Sequence, residues 1–310
     1  MGKLRDSVST AAAPLAWGTT YAVTTELLPA DRPLFTATMR ALPVGIAFTV
    51  VTRRMPTGAW WLRAAVLGLL NIGAFLALLF VATYRLPGGL VATLVAILPV
   101  IVLLLAWPVL GERPGARSAL VAVVCLVGVG LVGSAGAGDI DGWGALAALG
   151  AATVLGFGTV LTKYWGRPFS LVAFTGWQLL FGGLAILPLA WVVEGPPPAI
   201  DVRAALGYAY LQAIGTGLAY LVWFRGIERL PVALPPLIGL LNPVVAVLIG
   251  WRALDQRLTA VQVGGVTIVL LGVAASGTGP DSGRRLSRVA DAPASEWSEA
   301  SQPGTSQPNG

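Results

Sequence analysis

Long apolar runs alternate along the chain with short polar joins, and within each run apolar residues fall on every face rather than at a two-residue or single-stripe spacing. Cutting at charge, Pro and Gly clusters leaves ten segments, approximately 11–28, 34–52, 60–82, 88–110, 116–135, 143–162, 170–193, 204–224, 231–254 and 259–278. Each is near the roughly 20 residues that cross a bilayer core as a helix. The joins carry turn formers and bases, as in "YRLPGG" and "GPPPAIDVR". The first segment follows Lys3 and Arg5, imitating a leader, but nine comparable segments come after it, so it reads as a retained span. From Gly279 onward Gly, Ser, Pro and Ala dominate, with little to bury beyond Trp297, which predicts a disordered tail.

Sliding the chain by 144 residues lays 67–133 on 211–277 without a gap, with 18 of 67 positions identical. This composition gives only about a tenth by chance, so the match is an internal repeat. Matched pairs include Gly73/Gly217, Phe80/Phe224, Arg85/Arg229, Pro99/Pro243, Trp107/Trp251 and Gly128/Gly272; nearer each start, "AWGTTYAV" faces "GFGTVLTK" at an offset of 140. Five spans per copy is odd, so the second copy enters the membrane from the opposite side, as in many secondary transporters. With the N-terminus in the cytoplasm, fourteen Lys and Arg fall in inside segments and five in outside segments, with Arg40 within a span. The expected architecture is therefore an all-α integral membrane protein of ten transmembrane helices, arranged as two inverted five-helix repeats. Residues 1–10 form a cytoplasmic N-terminus, 11–135 the first repeat, 143–278 the second, and 279–310 a cytoplasmic tail.

Composition narrows the classes further. Hydrophobic residues make up 56% and the 39 glycines bring the apolar share to about 69%, against 45–50% in soluble domains. Only 11% of residues are charged, too few to clothe a soluble fold. The net charge of +6 sits in dispersed bases rather than a stripe with interleaved aromatics, which argues against nucleic acid. The chain has no histidine and one cysteine, Cys125, inside an apolar run. That removes His-dependent catalysis, most zinc sites and any internal disulfide. No Walker A pattern is present, and no nucleophile–base pair, metal set or mid-membrane pair of acids. No catalytic residue, metal or cofactor is implied.

Several strings together resemble the EamA-type, ten-helix members of the drug/metabolite transporter superfamily. They are "AWGTTYAV", "TMRALPVG" around Arg40, "LGERPGARSALVAVVCLVGVGLV", "WQLLFGGLAILPLAW", "GLAYLVWFRGIERLP" and "LLNPVVAVLIGW", spread from about residue 11 to 278. The resemblance implies secondary transport of small metabolites, often export of amino acids or related compounds. One departure is plain: similar proteins repeat the Gly-Glu turn in their second half, whereas Gly111-Glu112 here faces Asp255-Gln256.

Candidate chemistry lies where polar groups interrupt the spans. Pro99 and Pro243, matched in the repeat, each deprive the carbonyl four residues back (Val95 or Gly239) of its helical donor. They read either as packing kinks or as kinks lining one central cavity, and Asn242 beside Pro243 favours the second. In the eighth span Gln212, Thr216, Tyr220 and Trp223 share a face, for cavity lining or interhelical hydrogen bonding. Trp17, Tyr21 and Thr24 share a face of the first span, with Phe157 as the repeat counterpart of Trp17, forming either a packing seam or an aromatic wall. Asn71 and Gln178 are further cavity candidates, the latter equally a glue residue between helices. Arg40, roughly 9 Å into its span, is expected to pair with Glu26, to snorkel, or to meet a substrate carboxylate.

Glu26 is a coupling candidate or a snorkelling end residue, and Glu112 a gating candidate that would pair with Arg117, Arg225 or Arg229. Lys163 is expected as an interfacial anchor, with Trp60, Trp61, Trp143, Trp165 and Trp191 in the interfacial belts. The expected partners are a small-molecule substrate, the lipid bilayer and, for coupling, protons or another ion; a monomer and a homodimer stay equally open. The sequence thus predicts a multi-pass secondary transporter of the cytoplasmic membrane working by alternating access. A receptor or scaffold without solute flux is the alternative.

Overall fold

The computed structural model describes residues 2–29, 31–86, 88–113, 115–133, 141–253 and 259–277, and among these all regular structure is helical. The tail from 279, Asp255-Gln256 and Pro87 lie outside the described residues. In order the helices are α1 (Gly2–Leu27), α2 (Pro33–Thr52), α3 (Trp60–Gly68), α4 (Ala74–Arg85), α5 (Gly88–Val95), α6 (Leu98–Leu110) and α7 (Ala116–Gly133). They continue as α8 (Gly142–Trp165), α9 (Leu171–Glu194), α10 (Val202–Gln212), α11 (Ala219–Arg229), α12 (Leu234–Gly239), α13 (Leu241–Ala253) and α14 (Ala260–Gly277). Among the described residues six stretches are long and apolar enough to cross a membrane: Pro33–Thr52, Trp60–Thr83, Val91–Leu110, Gly142–Trp165, Leu171–Glu194 and Val202–Arg229. Ala116–Leu131, Leu234–Val245 and Ala260–Ser276 are shorter apolar helices. α1 is more polar, with a run of threonines and Glu26, and it starts well before its apolar segment. The Ser9 and Thr10 hydroxyls donate to the Asp6 carbonyl within its first turns.

Two spans are widened rather than broken. Between α3 and α4 the chain winds as a π-helix over Leu69–Gly73, and between α10 and α11 over Ala213–Leu218. A π turn bonds i to i+5, so each adds a residue to the ladder and leaves backbone groups in need of other partners. Two further spans are interrupted where proline removes a donor. α5 ends at Val95 and α6 starts at Leu98, just before Pro99; α12 ends at Gly239 and α13 starts at Leu241, just before Pro243. Ala96–Ile97 and Leu240, the interrupting residues, are turns rather than gentle kinks.

Small residues let the helices approach. In lipid, association between helices rests on close backbone packing rather than on a hydrophobic drive. α2 lies along α9 with Gly45 against the Leu180 backbone, Gly176 against Phe48 and Gly183 against the Leu42 backbone. α7 lies along α14 with Gly128 against Ile268 and Val269, and Gly272 against the Cys125 sulfur. α8 packs on α4 through Ala82, Leu86, Ala147 and Ala148, and on α6 through Leu98, Val102 and Val160. α1 packs on α11 and α13, where Gly18 admits Val245.

The helix termini are tied at two ends. At one, Asp6 pairs with Arg225 (3.7 Å) and Arg229 (3.6 Å), Arg167 with Glu228 (2.8 Å), and Arg63 lies over the Trp60 and Trp165 rings. At the other, Arg85 pairs with Asp141 (3.5 Å) and the Glu194 carboxylate accepts from the amides of Leu34 (2.6 Å) and Phe35 (2.9 Å). Arg32 gives α2 no side-chain cap, so Glu194 of α9 satisfies the orphan amides at the start of α2 and complements its dipole. Arg32 in turn donates to the Glu194 carbonyl. Trp61, Trp143 and Trp191 are exposed near helix ends, as belt residues require.

Gly183→Val places side-chain atoms where Leu42 Cα and N stand 2.9 Å from a Cβ, whereas a Cβ at Gly264 meets nothing within 4 Å. Gly183→Val is expected to cost about 1–3 kcal/mol, seen as a lowered unfolding midpoint in detergent, and Gly264→Val to leave the midpoint unchanged.

Candidate functional site

The two π stretches each gather polar side chains, and the site is built around them. In the second stretch the Gly215 carbonyl accepts from the indole Nε1 of Trp17 (2.9 Å) on α1 and from Nη2 of Arg40 (3.3 Å) on α2. Gly215 has room for this approach: an added Cβ there would sit at ordinary contact distance from Thr20 Oγ1 (3.6 Å) and Arg40 Nη2 (3.8 Å). The next residue, Thr216, is 1% exposed and its hydroxyl finds no partner among the described residues. Gln212, at the entry to the stretch, donates to the Met39 carbonyl (2.9 Å).

Aromatic rings close over this point. Trp17 meets Trp223 edge-on at 5.1 Å and Tyr220 at 5.3 Å between centroids, and Tyr220 leans on Phe224 at 5.7 Å. Trp223 also covers Gly239, whose carbonyl Pro243 deprives of a donor. The Asn242 carbonyl faces Gly18, next to Trp17. The expected wall of the first span and the polar face of the eighth therefore meet beside the interruption between α12 and α13.

The first π stretch forms a second polar group. Asn71 Nδ2 donates to Gln178 Oε1 (2.7 Å) on α9 and to Thr162 Oγ1 (3.0 Å) on α8, and Gly158 gives the amide its space. Gln178 is 0% exposed. Asn71 Oδ1, Gln178 Nε2, Thr159 Oγ1 and Thr175 Oγ1 are buried and find no partner among the described residues, more unmet capacity than buried side chains usually keep. Gln178 is thus a residue that joins helices and retains a free donor.

Other expectations resolve differently. Arg40 does not pair with Glu26, which is exposed near the end of α1; its polar partner is the Gly215 carbonyl. Glu112 does not pair with Arg117, Arg225 or Arg229 but lies 3.9 Å from Lys163 and accepts from the Val232 amide at 3.4 Å, because α6 ends against α8. Arg225 and Arg229 are taken by Asp6 instead. Lys163, expected at the interface, is turned inward and donates to the Leu230 carbonyl. Phe157 stays 44% exposed and does not join the aromatic group. Thr24 is half-buried with no side-chain hydrogen bond among the described residues, Pro99 is buried at the start of α6, and Asn242 and Pro243 are half-buried at the start of α13. The side chain of Tyr21 lies outside the described set.

Gly215 has no sequence signal because the π turn that presents its carbonyl leaves no periodic signature, and Thr162 and Lys163, on the regular helix α8, find their partners only through helix packing. Two of the cavities lie toward helix ends. One of about 360 Å³ is lined by Leu27, Leu28, Pro29, Ala199, Ile200, Asp201 and Ala204; another, of about 50 Å³, is lined by Thr162, Lys163, Gly166, Arg167, Phe174, Phe224 and Glu228.

Asn71→Leu and Gln178→Leu are each expected to lower stability by about 1 kcal/mol, and the double variant by less than the sum. Strict additivity in detergent unfolding would show the pair uncoupled. Gly158→Ala, whose Cβ would lie 2.8 Å from Asn71 Cγ, should reproduce the single-variant loss.

The EamA-like transporter family model matches residues 8–134 and 142–278. Protein PecM of Dickeya dadantii (strain 3937) is 42% identical over 259 residues, covering 83% of this chain and 87% of the relative. The uncharacterized inner membrane transporter YedA of Escherichia coli (strain K12) is 26% identical over 257 residues, covering 80% and 82%. A solved crystal structure at 20% sequence identity superposes with a TM-score of 0.76 over 88% of this chain and 98% of its own, a likeness of fold. With both stretches of the chain matched and a relative at 42% identity over most of its length, the protein belongs to the EamA-like transporter family of multi-span membrane transporters, within the drug/metabolite transporter superfamily.

Proposed function

We propose that this membrane transporter is a secondary transporter that moves a small metabolite, an amino acid or related compound, across the cytoplasmic membrane by alternating access, with export as its direction. Ten spans form two inverted five-helix halves, 11–135 and 143–278, and both termini are cytoplasmic. The observation that carries this is the matched placement of irregular backbone. The π stretch at Leu69–Gly73 corresponds to that at Ala213–Leu218, and the turn at Ala96–Ile97 to that at Leu240, all under the 144-residue offset. Irregular backbone within a membrane is tolerated where it faces protein or a wet cavity, and in secondary transporters it marks the substrate site between halves.

The directions of the helices support inversion. α1 starts at the end held by Asp6, Arg225 and Arg229, whereas its counterpart α8 starts at the end held by Arg85 and Asp141. The end where α1 starts also gathers Arg63, Lys163 and Arg167, in keeping with a cytoplasmic face. Trp17, Arg40, Thr216, Tyr220, Trp223 and Asn242 would form the substrate contacts, with Asn71 and Gln178 joining the halves around the other π stretch. Glu112, held by Lys163, would act at the cytoplasmic gate, and Glu26, exposed at the other end, would be the group for coupling to protons.

Two measurements test this. In liposomes holding the full chain, counterflow of a panel of amino acids and small metabolites is expected, and Trp17→Ala or Trp223→Ala should slow it at least tenfold. Absence of flux with every solute would favour a receptor or scaffold. On a Cys125→Ala background, Pro197→Cys should react with an impermeant thiol reagent added outside cells, and Thr57→Cys should not; the reverse pattern would invert the topology.

A further inference from the structure

Arg40 lies about 10 Å along α2 from its first residue, inside a segment long and apolar enough to cross the membrane. Charged groups at such depth are costly, about 2.5–3.5 kcal/mol for a central arginine on insertion scales, and they persist where they are paired or used. Among the described residues Arg40 forms no ion pair, and its polar contact is one carbonyl, that of Gly215, at 3.3 Å. The guanidinium carries five donors, so most of its capacity is unspent. Acids that share α1, α2, α9 and α10 with this region are otherwise placed. Glu26 is exposed, Glu194 caps α2, and Asp201 caps α10.

The immediate surroundings complete the chemistry of a binding group. Thr20 Oγ1 and Arg40 Nη2 flank the same face of Gly215, and the Thr216 hydroxyl one residue on is buried without a partner. Trp17 shares the Gly215 carbonyl with Arg40 and carries Tyr220 and Trp223 on its ring. Arg40 and Trp17 both keep partial exposure, so the seam between α1, α2 and the second π stretch is not sealed. Around the other π stretch, the neutral amides of Asn71 and Gln178 stand instead, already bonded to one another. The positive charge therefore belongs to one side of the pseudo-symmetric centre and gives that side a sign.

We propose that Arg40 is the anion-binding group of the substrate site, so that the solute carries a carboxylate beside an apolar or aromatic body. The carboxylate accepts from the unused guanidinium donors and the Thr216 hydroxyl, and the apolar body lies against Trp17 and Tyr220. Charge-assisted pairing of this kind is strong and directional. The inference rests on the transport reading for its biological use but not for the binding itself.

The test uses the purified full chain and matched probes: indole-3-propionate, phenylpropionate and hexanoate, each beside its primary amide, in a thermal-shift measurement at millimolar concentration. At least one acid should raise the unfolding midpoint while its amide does not. Arg40→Gln should weaken the acid's apparent affinity at least tenfold, Arg40→Lys should retain part of it, and Thr216→Val should weaken it several-fold with an unchanged midpoint in the absence of probe. Equal responses to acid and amide, an unchanged acid response in Arg40→Gln when that variant melts like the parent, or no response to any acid would overturn the proposal. Counterflow separates the two ideas: flux of a carboxylate solute unaffected by Arg40→Gln removes the anion site alone. Acid-specific binding without flux of any solute removes transport alone.

Discussion

In hydrocarbon a backbone amide or carbonyl without a partner costs several kcal/mol, so every departure from the α-helical ladder must be answered by another group. That constraint organises this protein. Where the ladder widens at Ala213–Leu218, the Gly215 carbonyl is answered by Trp17 and Arg40. Where the chain turns before Pro243, Trp223 covers Gly239 and Gly18 lets α1 approach Asn242. The side chains meet at one place because the backbone there needs them, and the same groups are then at hand for a solute.

The two halves answer the same constraint unequally. Position 71 is asparagine and its counterpart 215 is glycine. With a side-chain amide at Asn71, the first half reaches Gln178 and Thr162 through side-chain bonds. With glycine, the second half presents bare backbone, and the neighbouring helices must bring the donors. Duplication thus supplies two similar scaffolds, and they are answered differently, by neutral amides around Asn71 and by Trp17 and the cation Arg40 at Gly215.

Much of this was legible in the sequence, and the reasons are physical. Apolar length marks a helix in lipid, and proline marks a lost donor, so the helical segments and the interruptions at Pro99 and Pro243 follow from residue type alone. The shared face of Thr216, Tyr220 and Trp223 was also readable, and all three are buried. The π turns were not, because one extra residue in a helical turn changes neither composition nor hydropathy. Their effect on phase explains why Gln212 reaches Met39 rather than the aromatic group. Ion pairs between helix ends were misread for a different reason. The short joins leave many bases equally near Glu112 in sequence, and only packing of α6 on α8 selects Lys163.

Contacts of two strengths divide the molecule, and the division bears on how it would move. Along α2 with α9 and α7 with α14, glycines bring backbones so close that a methyl would strike Leu42, Leu180 or Ile268. Such seams resist sliding because interlocked packing has discrete arrangements rather than a continuum. At the ends, Asp6 with Arg225 and Arg229, and Glu112 with Lys163, are partly exposed ion pairs, each worth about 1 kcal/mol or less. A motion that keeps the glycine seams and exchanges the end pairs would therefore have to part the rings of Trp17, Tyr220 and Trp223, which hold α1 to α11. A solute that replaced ring–ring contact with its own contacts would lower the resistance to that parting.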